Sequence, residues 1–137
     1  MLKDITINGV YKHFKGDTYC VVEVSRAKEL EELKRLSELG KVRIDEYRAL
    51  HTEKDLKIYI YKVTDGVDTF YFHNNRLEKE NLVIYKCVSN LDKFDVYARP
   101  LGMFLSKTDK EKYPYIEQEY RFELLEDPTI LFYNVGE

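Results

Sequence analysis

The chain has no tryptophan, and only two cysteines, three prolines and six glycines among 137 residues. No apolar stretch approaches the ~18 residues that read as a membrane span. Each shortage excludes something. Cys20 and Cys87 lie far apart, each inside an apolar run and neither in a C-x-x-C pair, so the spacings of zinc and redox motifs are missing; both read as buried free thiols. The glycines are isolated, which removes a glycine-rich phosphate loop, and no Pro/Gly/Ser-rich linker divides the chain, so residues 1–137 read as one domain. Neither sign of charge dominates: 22 Lys and Arg stand against 25 Asp and Glu, a net charge of -3. There is no global field to gather phosphate backbones, so nucleic acid is disfavoured as a partner, although a local basic patch stays open. The opening Met-Leu-Lys-Asp-Ile-Thr-Ile has no long apolar segment, and a cytoplasmic location without a membrane partner is expected. His13, His51 and His73 lack metal-ligand spacing and there is no G-x-S-x-G, so no metal, cofactor or catalytic residue is assigned.

What is present points to strands. With 44% hydrophobic and 34% charged residues the chain is globular, and a domain this long buries roughly 70% of its unfolded surface, so it needs no staple. Twelve Tyr and seven Phe suit pleated, half-buried surfaces, giving a mainly β class with one helix. Residues 5–14 and 18–24 read as a hairpin turned by Lys15-Gly16-Asp17, with Cys20, Val22 and Val24 as the core face. Residues 27–39 are strong helix formers stopped by Gly40, with Leu30, Leu33, Leu36 and Leu39 on a drifting stripe that packs over about two turns. Segment 42–50 reads as a strand and then a turn. Asp65-Gly66 reads as a two-residue type I′ turn joining 56–64 to 67–73. That register sets Tyr61 opposite Phe70 and Tyr59 opposite Phe72, an aromatic ladder assigned first to the core and next to a subunit interface. Residues 82–88 and 94–98 form a further hairpin, residues 106–114 a charged loop, and strands near 119–125 and 129–133 follow.

Two segments together resemble a bacterial family, the domain of unknown function 1653 family. The opening pattern Gly-x-Tyr-x-His-aromatic-Lys-Gly is matched by Gly9, Tyr11, His13, Phe14, Lys15 and Gly16, followed by Tyr19. The closing pattern Arg-Pro-Leu-x-Met-Phe is matched by Arg99, Pro100, Leu101, Met103 and Phe104, with Arg121 and Phe122 as its later Arg-Phe. Residues 80–85 are similar to the family's central strand. Tyr97 stands where relatives commonly carry Trp, and Ala98 where they carry Val. What the resemblance implies is a small SH3-like barrel with barrel-like parts about 5–26 and 80–125, elaborated by an inserted helix and β-hairpin over about 27–79, in a family without an established activity.

Because basic and aromatic residues recur in both motif halves, the first functional reading is a non-enzymatic binding or interaction module for a small anionic ligand or a protein segment. Its ligand-binding candidates are Tyr11, His13, Lys15, Tyr19, Tyr97 and Arg99. Tyr59, Tyr61, Phe70 and Phe72 are the interface candidates for a homo-oligomer through the 56–73 hairpin. The alternatives are a hydrolase-like enzyme with His13 as general base, which needs a nucleophile or carboxylate beside His13 in a concave site, and an RNA- or single-stranded-DNA-binding barrel. The first reading depends on one contact: His13 and Arg99 must lie close together.

Overall fold

The structure is a computed structural model that describes residues 5–40, 42–90 and 95–125. It is mainly β. Strands β1 (Val10–His13), β2 (Thr18–Lys28), β3 (Arg43–His51), β4 (Leu56–Thr64), β5 (Thr69–Asn74), β6 (Leu82–Cys87), β7 (Val96–Pro100) and β8 (Phe122–Leu124) are joined by helices α1 (Leu30–Glu38) and α2 (Leu101–Phe104). The sheet runs β5-β4-β3-β7-β6-β2-β1-β8, and a parallel pairing of β5 with β2 closes the first six strands into a barrel, consistent with an SH3-like small barrel. The stretch 27–79 therefore supplies three of the six staves, β3, β4 and β5. Among the described residues no helix is long and apolar enough to cross a membrane.

Two apolar clusters share β6. Leu82 and Ile84 join Ala49, Ile58, Ile60 and Ala98, with Val22, Tyr47, Tyr71 and Val96 packed around them. All six staves contribute to this group, which makes it the barrel interior. Val83 and Tyr85 point the other way and join Tyr11, Val21, Phe104 and Phe122 beneath β1, β8 and α2. A strand buried on both faces needs a continuous apolar run, which explains Leu82-Val-Ile-Tyr85. Pro100 ends β7 and turns the chain into α2, whose Phe104 lies flat on Phe122 at 4.1 Å. Much of the closing motif thus serves architecture. So does Gly9, where a Cβ would sit 2.9 Å from both the Thr6 carbonyl oxygen and the Leu124 side chain.

Several expectations are corrected. The even face of β2 is not its core side: Val21 is fully buried while Cys20, Val22 and Val24 are half-buried, because a bulge between Val21 and Glu23 breaks the alternation. Both cysteines are free thiols, but half-buried rather than buried. The helix starts at Leu30, since Ala27 and Lys28 remain in β2 as partners of His73 and Asn74; barrel closure overrides their helix propensity. Gly40, at φ +68, ends it as expected. Segment 43–51 is strand throughout, with no turn inside it.

The β4–β5 register differs as well. Tyr61 faces Phe72 and Val63 faces Phe70, a slip of two residues that keeps the same faces together. A type I′ turn needs positive φ at both central residues, yet only Gly66 has it, at +92. The Asp65 carboxylate instead accepts the amides of Val67 and Asp68 at 2.9 and 2.7 Å, which makes a four-residue loop. The ladder residues face outward, so their assignment to the core does not hold. Tyr59 and Phe70 are exposed, and Tyr61 and Phe72 half-buried, with Lys28 Nζ 4.6 Å over the Phe72 ring and Leu33 and Ile44 sharing a hollow with Tyr61. The call for a strand at 129–133 lies outside the described residues, as does Phe94 of the strand expected at 94–98.

The barrel interior also contains a polar node. His51, His73 and Ser25 are at most 1% exposed. The Ser25 hydroxyl donates to His73 Nδ1 at 2.7 Å, because His73 Nε2 donates to the Glu78 carbonyl at 3.1 Å. His51 Nδ1 accepts the amides of Glu53 and Lys54, both at 3.2 Å, which leaves its Nε2–H to donate to the Glu78 carboxylate at 2.7 Å. Two neutral imidazoles thus clasp one residue of the β5–β6 connection.

Candidate functional site

His13 ends β1, and the tight turn behind it presents Phe14 and Lys15. Arg99 comes from β7 at a position facing away from the barrel interior, two residues after Tyr97. Asp109, Lys112 and Tyr113 come from the 105–121 loop, and Arg121 immediately precedes β8. These residues line one cleft of about 330 Å³. Bonds to the backbone bring them together: Phe14 N–H donates to the Arg121 carbonyl at 2.9 Å, and the Gln118 side-chain amide donates to the carbonyls of Lys12 and Tyr120 at 2.8 and 2.9 Å. The loop carries its own brace, with the Lys110 ammonium on the Gln118 carbonyl at 3.0 Å and also on that of Ile116.

Arg99 is fixed at its near end. Its side chain is 16% exposed, Nε donates to Tyr85 Oη at 3.0 Å, and the guanidinium lies 5.4 Å from the Phe122 ring centre. That leaves both Nη groups, one of them 3.9 Å from a Glu53 carboxylate oxygen. His13 is wedged against Phe14 at 4.5 Å and Phe122 at 4.8 Å. Its Nδ1 accepts the Lys15 amide at 3.1 Å, so the neutral ring carries its proton on Nε2. Burial, then the positive charges of Arg99, Lys15 and Arg121, outweigh Asp17 and lower its pKa to about 4. His13 is therefore a neutral hydrogen-bond donor at pH 7.

Four cations meet one acid here. The Asp109 Oδ1 already accepts the amides of Glu111 and Lys112 at 3.0 and 3.2 Å. Among the described residues no carboxylate stands within ion-pair distance of Lys15, Lys112 or Arg121. A larger cavity of about 500 Å³ lies where the start of α1 meets Asn74–Arg76, but there Glu29 and Glu31 oppose Lys34 and Arg76, and no single sign prevails.

His13, Lys15 and Arg99 thus share one site, while the three tyrosines do not line it. Tyr11 is 5% exposed, and its hydroxyl accepts the Thr6 amide at 3.0 Å. Tyr19 and Tyr97 belong to the aromatic layer behind Arg99: Tyr97 stacks on Tyr85 at 5.5 Å, and Tyr19 meets Tyr85 edge-on at 5.2 Å. Lys112, Tyr113 and Asp109 read in the sequence only as part of a charged loop, and Arg121 only as a motif residue. Their convergence depends on the fold of a loop that carries no motif. Ser25 and His73 have the separation of a nucleophile–base pair, but both are sealed from solvent. Among the described residues no three His, Cys, Asp or Glu side chains gather as a metal site.

No curated protein and no solved structure matches the chain. One family model does, and its matched segment begins at β5, ends at β8 and holds the closing motif with Arg99 and Arg121, while the opening motif at 9–16 lies outside it. Over residues 69–124 the chain is similar to the family described as a protein of unknown function, DUF1653, and the match supports the resemblance read from the closing motif.

Proposed function

We propose that this protein is a binding module for a small anionic ligand, held in the cleft of His13, Lys15, Arg99, Lys112 and Arg121. The observation that carries the reading is the surplus of cations: among the described residues no carboxylate stands within ion-pair distance of Lys15, Lys112 or Arg121, in a chain whose net charge is negative. Lys15 and Lys112 each spend one donor on the Tyr113 hydroxyl, which leaves further N–H groups of both for a ligand, and charge-assisted bonds are the stronger ones. The surrounding low-dielectric aromatic wall of Phe14 and Phe122 strengthens each of them.

A general-base role for His13 draws less support. The site is concave, but no hydroxyl or carboxylate among the described residues hydrogen-bonds the imidazole, and a pKa near 4 makes it a weak base at neutral pH. The test is a titration of isotope-labelled protein with sodium phosphate, sulfate and acetate at constant ionic strength, followed by NMR. Saturable shifts are expected at the amides of residues 14–17, 99 and 112–113 with at least one of these anions. Arg121→Gln should weaken them about tenfold, the loss of one hydrogen bond to a charged group. Shifts that appear with none of the three, or that Arg121→Gln leaves untouched, would remove the reading.

A further inference from the structure

The cleft is built in two tiers. His13, Arg99 and Arg121 are half-buried and form its floor, while Lys15 and Lys112 are exposed at its rim beside Tyr113. Lys15 Nζ lies 5.6 Å and Lys112 Nζ 5.5 Å from the Tyr113 ring centre. The floor donors differ in kind from the rim donors. Guanidinium forks are planar and pre-organised and the imidazole is a single fixed donor, whereas ammonium groups are mobile point charges.

Three separate floor groups approaching from different elements are matched better by a tetrahedral acceptor than by a planar one. The Arg99 Nη groups, the Arg121 fork and His13 Nε2–H approach from β7, from the segment before β8 and from β1 respectively. A carboxylate offers two oxygens in one plane, and one fork occupies the face that both present, whereas a phosphate monoester offers three terminal oxygens spread in a tetrahedron, one toward each direction of approach. Charge points the same way. Four cations against the carboxylates of Asp109 and of Glu53, the latter 3.9 Å from Arg99, leave a surplus of two, of which a carboxylate cancels one and a phosphate dianion both. The cleft volume of about 330 Å³ is at the low end for small-molecule sites, enough for a phosphate and a modest organic remainder but not for a run of nucleotides.

We infer that the cleft holds the dianionic phosphate of a small phosphate monoester, with His13, Arg99 and Arg121 on the phosphate and Lys15 and Lys112 beside the rest of the molecule. This rests on the anion-binding reading above and narrows it to one chemical class. Because His13 is neutral in the free protein at both pH 7.5 and pH 5, the ligand supplies the larger part of the pH dependence of binding: a phosphate ester loses its second charge below about pH 6, so affinity should fall on acidification. A site driven by protonation of His13 would show the opposite sign. The groups that set the field at His13 are Arg99, Lys15 and Arg121 on one side and Asp17 on the other.

Calorimetric titration of the full chain with methyl phosphate and with acetate, at pH 7.5 and pH 5, tests the inference. Methyl phosphate should bind at least about tenfold more tightly than acetate at pH 7.5, and should weaken several-fold at pH 5. Arg121→Lys, which keeps the charge and loses the fork, should cost methyl phosphate more than acetate; Lys112→Gln, at an exposed position, gives a second readout if Arg121→Lys fails to fold. Acetate binding as tightly as methyl phosphate, or methyl phosphate binding more tightly at pH 5, would overturn the phosphate assignment and leave the broader anion reading standing. Binding of neither probe at either pH would overturn the inference, and the sulfate arm of the NMR titration then decides whether the broader reading falls with it.

Discussion

The molecule contains two polar centres built around histidine, and they use it in opposite ways. At the barrel node every ring nitrogen of His51 and His73 has a protein partner, and both rings converge on Glu78. At the cleft His13 has one nitrogen engaged, and three neighbouring cations have no carboxylate partner among the described residues. Buried polar groups that satisfy each other contribute to stability and have no capacity left for a ligand. Polar groups gathered without mutual satisfaction cost stability, through repulsion, and are retained where something else completes them. The contrast separates a site satisfied within the protein from one that is not, without reference to residue type, and the proposed anion site rests on it.

The largest effect expected from breaking this contrast is at the node. Glu78→Ala strips the acceptor from a fully buried His51 Nε2–H, and an orphaned buried donor in a network costs about 2–3 kcal/mol. Urea unfolding should show that loss at unchanged anion affinity. A loss below about 0.5 kcal/mol would mean that the node is not the satisfied centre described here.

Acid separates the two centres next. His13, lowered to about 4, and His73, lowered by burial, both have an ordinary value of 6.5 when unfolded. Between about pH 6.5 and pH 4 the unfolded chain takes up protons that the folded chain refuses, so stability is full above that window and declines as pH falls through it. Glu78 acts lower down. Burial opposes its ionisation, but the His51 hydrogen bond and neighbouring amides outweigh that and hold it below 4.5, so its contribution is present above that value and is lost on further acidification. His13→Gln should flatten the upper part of the decline in unfolding midpoints between pH 6.5 and 4.5. Anion binding should raise the His13 midpoint seen by NMR, since the ligand offsets Arg99, Lys15 and Arg121. A His13 midpoint near 6.5 in the free protein would show that those cations do not act on it.

How much of this was legible in the sequence follows from the range of each interaction. Local chemistry announced the β1–β2 and β6–β7 hairpins, the stop at Gly40 and the beginning of the strand at 43–51, but not its continuation past the expected turn. Long-range closure did not announce itself. The bulge in β2 that puts Val21 rather than Cys20 in the core, and the continuation of β2 through Ala27 and Lys28, exist because β2 must pair with β1, β5 and β6 along one strand. The outward aspect of Tyr59 and Phe70 depends on which side of a two-faced hairpin the barrel closes upon, and apolar residues on both faces carry no such signal. Of the cleft, His13, Lys15 and Arg99 were found through the paired motifs. Lys112 and Arg121 came into it only through the folding of the 105–121 loop against β1.

A smaller effect, of opposite sign, tests the rule about satisfaction from inside the barrel. Tyr47 packs against the interior cluster with its hydroxyl buried and, among the described residues, without a hydrogen-bond partner. Burial pushes that hydroxyl's pKa well up, with Tyr71 and Glu23 adding to it, so it stays protonated. Tyr47→Phe removes an unsatisfied group at nearly constant shape and should raise stability by up to about 1 kcal/mol. A destabilised Tyr47→Phe protein would indicate a hydrogen bond that the structure does not contain.

The smallest stability change belongs to the rim of the cleft. Lys15 and Lys112 are exposed and form no ion pair with a described residue, so Lys15→Gln and Lys112→Gln should each leave the unfolding free energy within about 0.5 kcal/mol of the parent. Removing either charge lowers the repulsion within the cluster, so what change there is should be toward greater stability, and it should shrink as added salt screens the cluster. The same substitutions should weaken methyl phosphate binding several-fold, with the difference also fading at high salt. Node variants lose stability and keep affinity; rim variants keep stability and lose affinity. A rim variant that lost more than about 1 kcal/mol on urea unfolding would place Lys15 or Lys112 in the architecture, and the surplus of cations could then no longer be assigned to a ligand.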